Sequence, residues 1–300
     1  MLKKIVIFGV GLIGGSFARA LHKAGAVEQI VGVGRTAASL ARAKELGIID
    51  VISTSVEEAL RDADLVLLAA PVAQTEAILA AIQPYLQAQT VITDAGSIKG
   101  EVVAAARRAL GDKIGQFVPG HPIAGLEANG PDAAIDSLYT GKKVVLTPLP
   151  ENSTAQIALV SAAWEQCGAI IHQLTPEDHD AVFAAVSHLP HLLAYALVDD
   201  IAAKPHADLL FQYAASGFRD FTRIAGSSPE MWRDISLSNQ AAILTELDAY
   251  IAQLTRFRGQ LAAGDGAAMQ AMFANAQRAR QNWLSNIETA EMQPKQDRDQ

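Results

Sequence analysis

The chain of 300 residues carries one cysteine, Cys167, which excludes an intramolecular disulfide and a cysteine-rich metal site and fits a reducing cytoplasm. Long runs of like charge are missing too. With 32 acidic and 24 basic residues interspersed, nothing forms the basic stripe of a nucleic-acid binder, so the expected partner is a small molecule. No uninterrupted apolar run is long enough to cross a bilayer, and no apolar leader with a cleavage site opens the chain; a soluble, unexported protein without membrane contact is expected. His22, His172, His179 and His206 show no metal-ligand spacing, so no metal is expected.

What is present is an alternating pattern. From Lys3 to about Thr175, the apolar runs IVIFGV, QIVGVG, DLVLLAAP, TVITDAG, QFVPGHP, KVVLTP and AIIHQLT are separated by mostly amphipathic stretches, the signature of a mainly parallel sheet covered by helices. Ser55 and Glu58 can form a capping box, and Gly25 and Gly47 stand where helices should stop. After Pro176 the strand runs cease and the spacing becomes helical. The expected organisation is α/β: a Rossmann-like dinucleotide-binding domain over 1–175, an all-α domain over 176–288, and a polar, disordered tail over 289–300. The second domain is more apolar than its own core requires, which predicts burial against a second copy, a homodimer.

Gly9, Gly11 and Gly14 form G-x-G-x-x-G after a strand and at the opening of a helix, the context of a dinucleotide site. The first allows a tight turn, the second a close approach of pyrophosphate, the third close packing of helix on strand. Leu12 and Ile13 within the motif, and Ala70 and Pro71 after the DLVLLA run, are expected to contact the cofactor with them. At the end of the second strand, where an acid would accept from a ribose 2′-OH, the chain has Gly34, followed by Arg35 and Thr36. A planar cation and a hydroxyl suit a 2′-phosphate, so NADP is the expected cofactor; the alternative is a solvated Arg35 with NAD still accepted.

Four further segments are unusual for packing alone: DAGSIKG, GHPIAGLE, SHLPH and SGFRDFTRIA. With GVGLIGGS and MWRDI they resemble, in order and from about Lys3 to Trp283, the prephenate and arogenate (cyclohexadienyl) dehydrogenases of tyrosine biosynthesis. That resemblance implies oxidative decarboxylation of prephenate to 4-hydroxyphenylpyruvate, or of arogenate to tyrosine, with hydride transfer to a nicotinamide. Position alone leaves His121 open between a loop-satisfying and a catalytic histidine; the resemblance makes it the group that accepts the proton of the substrate 4-hydroxyl. Ser97 corresponds to the serine that bonds the same hydroxyl, with a helix N-cap as its other reading. Arg223 corresponds to the carboxylate-binding arginine and His191 to a second substrate-contacting histidine, while His188 is expected to pack or to bond backbone. Ser216 and Gly217 correspond to backbone near the substrate side chain, although ASG stands where relatives often carry a glycine run. Glu127, Asp220 and Trp232 match positions that shape or gate the pocket. Two other readings stay open: a different two-domain Rossmann oxidoreductase acting on a small carboxylic acid, and a non-catalytic NADP-sensing protein.

Overall fold

The computed structural model describes residues 1–126 and 128–292. Glu127 and the last part of the polar tail, 293–300, lie outside the described residues. Met1–Ile243 forms one compact unit and the chain from Leu244 a second.

The first unit is built on a six-stranded sheet of β1 (Leu2–Phe8), β2 (Val27–Val33), β3 (Val51–Ile52), β4 (Leu65–Leu68), β5 (Val91–Asp94) and β6 (Phe117–Val118), in the order β3-β2-β1-β4-β5-β6. All its pairings are parallel. Strand side chains alternate between two cores: Ile5, Ile7, Leu65 and Leu67 enter one, Val6, Phe8, Val66 and Leu68 the other. Both faces therefore need helices, which explains continuous apolar runs rather than alternation. Helices α1 (Leu12–Lys23), α2 (Ala37–Glu45), α3 (Val56–Leu60), α4 (Thr75–Ile82), α5 (Gly100–Leu110) and α6 (Thr154–Gln166) supply them. Phe17 of α1, Tyr139 and Trp164 of α6 form an edge-on aromatic cluster, with Trp164 centroids 4.6 Å from Phe17 and 5.0 Å from Tyr139. The strand order reverses between β1 and β4, and in open α/β sheets that reversal leaves a crevice beyond the strand carboxyl ends.

Local signals fall where the sequence has them. Gly25 and Gly47 follow α1 and α2 with φ of 61° and 65°, the left-handed conformation that ends a helix. Ser55 accepts from the Glu58 N–H at 3.3 Å, one half of the capping box. The run QFVPGHP, read as one strand, is two. Pro119 has no N–H to continue the ladder, and the chain leaves β6 to start β7 (Gly120–Pro122) in a separate three-stranded sheet. There β7 lies antiparallel to β8 (Lys143–Leu146), which runs parallel to β9 (Ile170–Gln173).

From Pro176 the first unit is helical: α7 (Pro176–Phe183), a wide π-type turn over Ala184–His188, α8 (Leu189–Ala202), α9 (Ala207–Gln212), α10 (Ser216–Thr222) and α11 (Pro229–Ser238). Thr175 caps α7 by accepting from the Asp178 N–H at 3.0 Å, with Pro176 in its first turn. Pro190 can neither donate to the preceding turn nor clear its carbonyl, and the widened turn just before it absorbs the conflict. By length and composition alone, Pro176–Ala202 could cross a bilayer, although its apolar residues are interrupted by Ser187, His188, Pro190 and His191. Its His179, Asp180 and His188 are instead buried and paired within the first unit.

Helix α12 (Gln240–Ala262) runs into the second unit, where α13 (Gly266–Met292) follows. Gly264, at φ 67°, makes the turn between them, Asp265 accepts from the Ala268 N–H at 2.9 Å, and Phe257 meets Phe273 at 5.9 Å. Helix α13 extends to Met292, into the stretch read from sequence as tail.

Candidate active site

Three glycines shape the crevice at the end of β1. Gly9 has a φ of 96°, and a Cβ there would fall 2.6 Å from the Ala69 carbonyl oxygen. A Cβ on Gly14 would fall 2.3 Å from the Gly9 carbonyl oxygen, so neither position admits a side chain. At Gly11 the same atom would meet nothing within 4 Å, leaving open space outside the N-terminus of α1. That helix has no side-chain cap and no acid in its first turn, so its leading N–H groups stand ready for an anion. Leu12 and Ile13 start the helix, and the Tyr139 hydroxyl donates to the Ile13 carbonyl at 2.7 Å, holding this turn in place. Ala70 and Pro71 come shortly after β4, with the Ala69–Ala70 peptide beside Gly9. These residues fit a dinucleotide pyrophosphate. Gly34, Arg35 and Thr36 are exposed beyond β2, with Thr36 at the N-cap of α2. Gly34 has no steric need to be glycine, since an added Cβ would make only ordinary contact with Leu40 at 3.6 Å.

Beyond β5 the chain builds a second, buried polar centre. The Lys99 side chain is fully buried; its Nζ donates to Asp94 Oδ2 at 2.5 Å and to the Gly120 carbonyl at 2.7 Å. Asp94 Oδ1 accepts from the Gly120 N–H at 3.0 Å. This ion pair thus ties the end of β5 to the start of β7 and sets His121, the middle residue of β7. Burial pushes the Lys99 pKa down, against the pull of Asp94.

His121 Nδ1 lies 2.8 Å from Nε2 of His179, whose Nδ1 lies 2.8 Å from Asp180 Oδ1. Asp180 in turn accepts from the Lys99 and Gly100 backbone N–H groups, both at 2.7 Å, at the start of α5. Burial acts to raise the Asp180 pKa, yet the bonds from His179, Gly100 and Lys99 hold it below the ordinary carboxylate value. Burial, then the neighbouring His179, Lys99 and His188, pushes His121 well below the usual histidine range, so its ring is neutral at pH 7. His179 is pushed down as well, chiefly by burial.

His188 is buried, accepts from Asn239 Nδ2 at 3.1 Å and bonds the backbone of Ser97, with burial lowering its pKa to about 4. Asn239 also donates to the Asp180 carbonyl at 2.9 Å. Ser97 itself is half-buried in the loop before α5; that helix is capped at Lys99 without a side-chain bond, so the N-cap reading of Ser97 is corrected. His191, one turn further along α8, stacks on Trp232 with centroids 3.7 Å apart. Arg223 is exposed at the start of a short turn after α10, near enough for its charge to act on His191. Ser216, Gly217 and Asp220 lie exposed on α10.

His121 is thus linked through His179, Asp180 and Asn239 to His188, and His188 meets the Ser97 backbone and the Trp232 ring on which His191 stacks. Arg223 reaches this group through its charge on His191. From sequence His179 is weighed only as a metal ligand, and Asp180, Lys99, Asp94 and Asn239 are given no role. His179 stands 58 residues from His121, and no local spacing connects them.

Residues 17–173 match a family model described as prephenate dehydrogenase, nucleotide-binding domain, and residues 175–275 one described as prephenate dehydrogenase, dimerization domain. The chain belongs to the prephenate dehydrogenase family. It is 38% identical to the cyclohexadienyl dehydrogenase of Zymomonas mobilis over 283 residues, covering 93% of this chain and 96% of that one. The crystal structure of prephenate dehydrogenase from Aquifex aeolicus superposes with a TM-score of 0.86 at 36% identity, over 93% of this chain and 99% of that one. A second structure of the A. aeolicus enzyme, in complex with hydroxyphenyl propionate and NAD+, gives 0.81 at 36% identity, over 97% and 98%. This prephenate dehydrogenase relative is thus an oxidoreductase of tyrosine biosynthesis that works with a nicotinamide dinucleotide.

Proposed function

We propose that the protein oxidatively decarboxylates prephenate or arogenate with NADP preferred over NAD, using His121 as the base. The observation that carries this reading is His121 just beyond the carboxyl end of β6, its Nδ1 engaged at 2.8 Å by His179 and its pKa held down by burial; we assign its Nε2 to the substrate. Gly9, Gly11, Leu12, Ile13, Gly14, Ala70 and Pro71 hold the dinucleotide, and Arg35 and Thr36 meet its 2′-phosphate. The absence of an acid at Gly34, where packing would allow one, supports the preference.

A nicotinamide dinucleotide held by these residues would supply the hydride acceptor for the carbon that bears the 4-hydroxyl. His121 Nε2 accepts the hydroxyl proton as the carbonyl forms, and the Ser97 hydroxyl bonds the same oxygen. The new ketone is conjugated to the carbon bearing the ring carboxylate, so carbon dioxide leaves with its electrons flowing toward the carbonyl, and the ring becomes aromatic. Arg223 pairs with a substrate carboxylate through its planar fork. His191 and Trp232 form one wall, and Ser216, Gly217 and Asp220 border the substrate side chain.

The same reading has residues 1–175 serve the cofactor and 176–288 the substrate and a homodimer, acting in the cytoplasm. The helices of the second unit expose Leu244, Ile251, Leu254, Leu261, Phe273 and Trp283, apolar surface that a second copy would cover. The test is a four-way kinetic comparison of prephenate and arogenate, each with NAD and NADP. NADP reduction with one of the two substrates supports the proposal, and no reduction in any of the four combinations overturns it.

A further inference from the structure

We infer that His179, held by Asp180, is a positioning residue that dictates which nitrogen of His121 carries its proton. The inference rests on the reading of His121 as the base. It follows from one ionised group at the start of α5. The Asp180 carboxylate accepts two backbone N–H groups, from Lys99 and Gly100, each at 2.7 Å, and an ionised carboxylate can only accept. Its 2.8 Å contact with His179 Nδ1 is a hydrogen bond only if that nitrogen bears the proton. His179 is fully buried and neutral, so its Nε2 then carries a lone pair. The 2.8 Å contact of that lone pair with His121 Nδ1 requires a proton on His121 Nδ1. A neutral His121 with Nδ1 protonated has its lone pair on Nε2, the state a base needs.

The surroundings point the same way. The other charged groups at this centre, Lys99 and Asp94, are paired with each other at 2.5 Å, and His188 takes its proton donor from Asn239. Asp180 is therefore the one fixed acceptor from which the order of protons along the row is set. Phe183 closes the row sideways, with ring centroids 4.9 Å from His121 and 4.5 Å from His179, so neither ring can turn over without displacing a buried side chain. During reaction the substrate O–H bond breaks and its proton goes to His121 Nε2. The electron pair of that bond becomes the second bond of the carbonyl as the hydride leaves the adjoining carbon. His121 becomes an imidazolium that still donates from Nδ1 to His179, while His179 and Asp180 keep their protons and charges. The carboxylate lies two rings' contacts away and stabilises the new positive charge.

The test combines imidazole 15N NMR with kinetics of wild type, His179→Leu and His179→Gln. Wild type should show a protonated Nδ1 and an unprotonated Nε2 on His121. Leucine removes the acceptor, so His121 should take up the other tautomer or a mixture, and kcat should fall by roughly a hundredfold or more with KM within about twofold. The carbonyl of glutamine can still accept from Nδ1, so His179→Gln should keep the tautomer and stay within about tenfold of wild-type kcat. The opposite tautomer in wild type overturns the inference without any variant, even should His179→Leu fail to fold. Equal losses of kcat in Leu and Gln variants that both retain the wild-type tautomer also overturn it. A wild type inactive on prephenate and arogenate alike removes the base to be positioned and overturns both readings, whereas an active wild type with the opposite tautomer overturns this one alone.

Discussion

His191 lies flat on Trp232, the ring planes 20° apart and the centroids at 3.7 Å, while its Nδ1–H donates to the Ser187 carbonyl at 2.8 Å. Burial pushes its pKa down, and the nearby Arg223 charge adds to this. A neutral ring with Nδ1 so engaged has only an acceptor left at Nε2, which cannot donate to a carboxylate. Within this wall the pairing of an anionic substrate falls to Arg223.

Arg223→Ala should therefore raise KM more than it lowers kcat, because a carboxylate is bound alike in the ground and transition states. A charge-assisted bond of about 1.5 to 3 kcal/mol corresponds to a rise of roughly ten- to a hundredfold. Lysine should rescue poorly, lacking the planar fork. Steady-state kinetics with a folded variant checks this; an unchanged KM would make the arginine structural.

The cofactor preference has an equally direct test. Gly34→Asp with Arg35→Ile adds an acceptor for a ribose hydroxyl and removes a cation, at positions where the added Cβ at 34 meets only Leu40 at 3.6 Å. The ratio of kcat/KM for NADP over NAD should swing by at least about a hundredfold, from the loss of a pair worth roughly 1.5 to 3 kcal/mol and the added repulsion. Equal use of both cofactors before and after the change would remove Arg35 from its role.

Acid should weaken the fold through its buried histidines. A histidine whose folded pKa lies below its unfolded value contributes stability above the unfolded pKa, and loses it as pH falls through the folded pKa. For His188 the window runs from the ordinary 6.5 down to about 4, worth about 3 kcal/mol at about 1.4 kcal/mol per unit. His121, His179 and His191 are lowered too and act in the same direction. Thermal melts should fall steadily from pH 6.5 toward pH 4, and less steeply in His188→Gln, where the other three rings still contribute. A melting temperature independent of pH over that window would contradict the burial of these rings.

Much of this was legible because it is local. The period of the apolar runs, the glycine fingerprint and the helix-ending Gly25 and Gly47 depend on neighbours a few residues apart. Strand β3 was missed because Val51 and Ile52 alone form it, too short to show a pattern. The division of QFVPGHP between two sheets turns on Pro119, a residue that also suits an edge strand. His179 and Asp180 sit in PEDHD, which reads as an ordinary acidic first turn of a helix; their task appears only when α7 is packed on the start of α5. Lys99 lies within the DAGSIKG segment, but nothing local in sequence shows that its side chain is buried between β5 and β7.

The central claim is that His121 takes the substrate proton. The most direct measurement is kcat and KM of His121→Asn beside wild type, with cofactor binding checked by titration to show an intact site. General acid–base groups contribute roughly 100- to 10,000-fold, so kcat should fall by that order while KM and cofactor affinity stay close to wild type. A variant that turns over at nearly the wild-type rate would contradict the account.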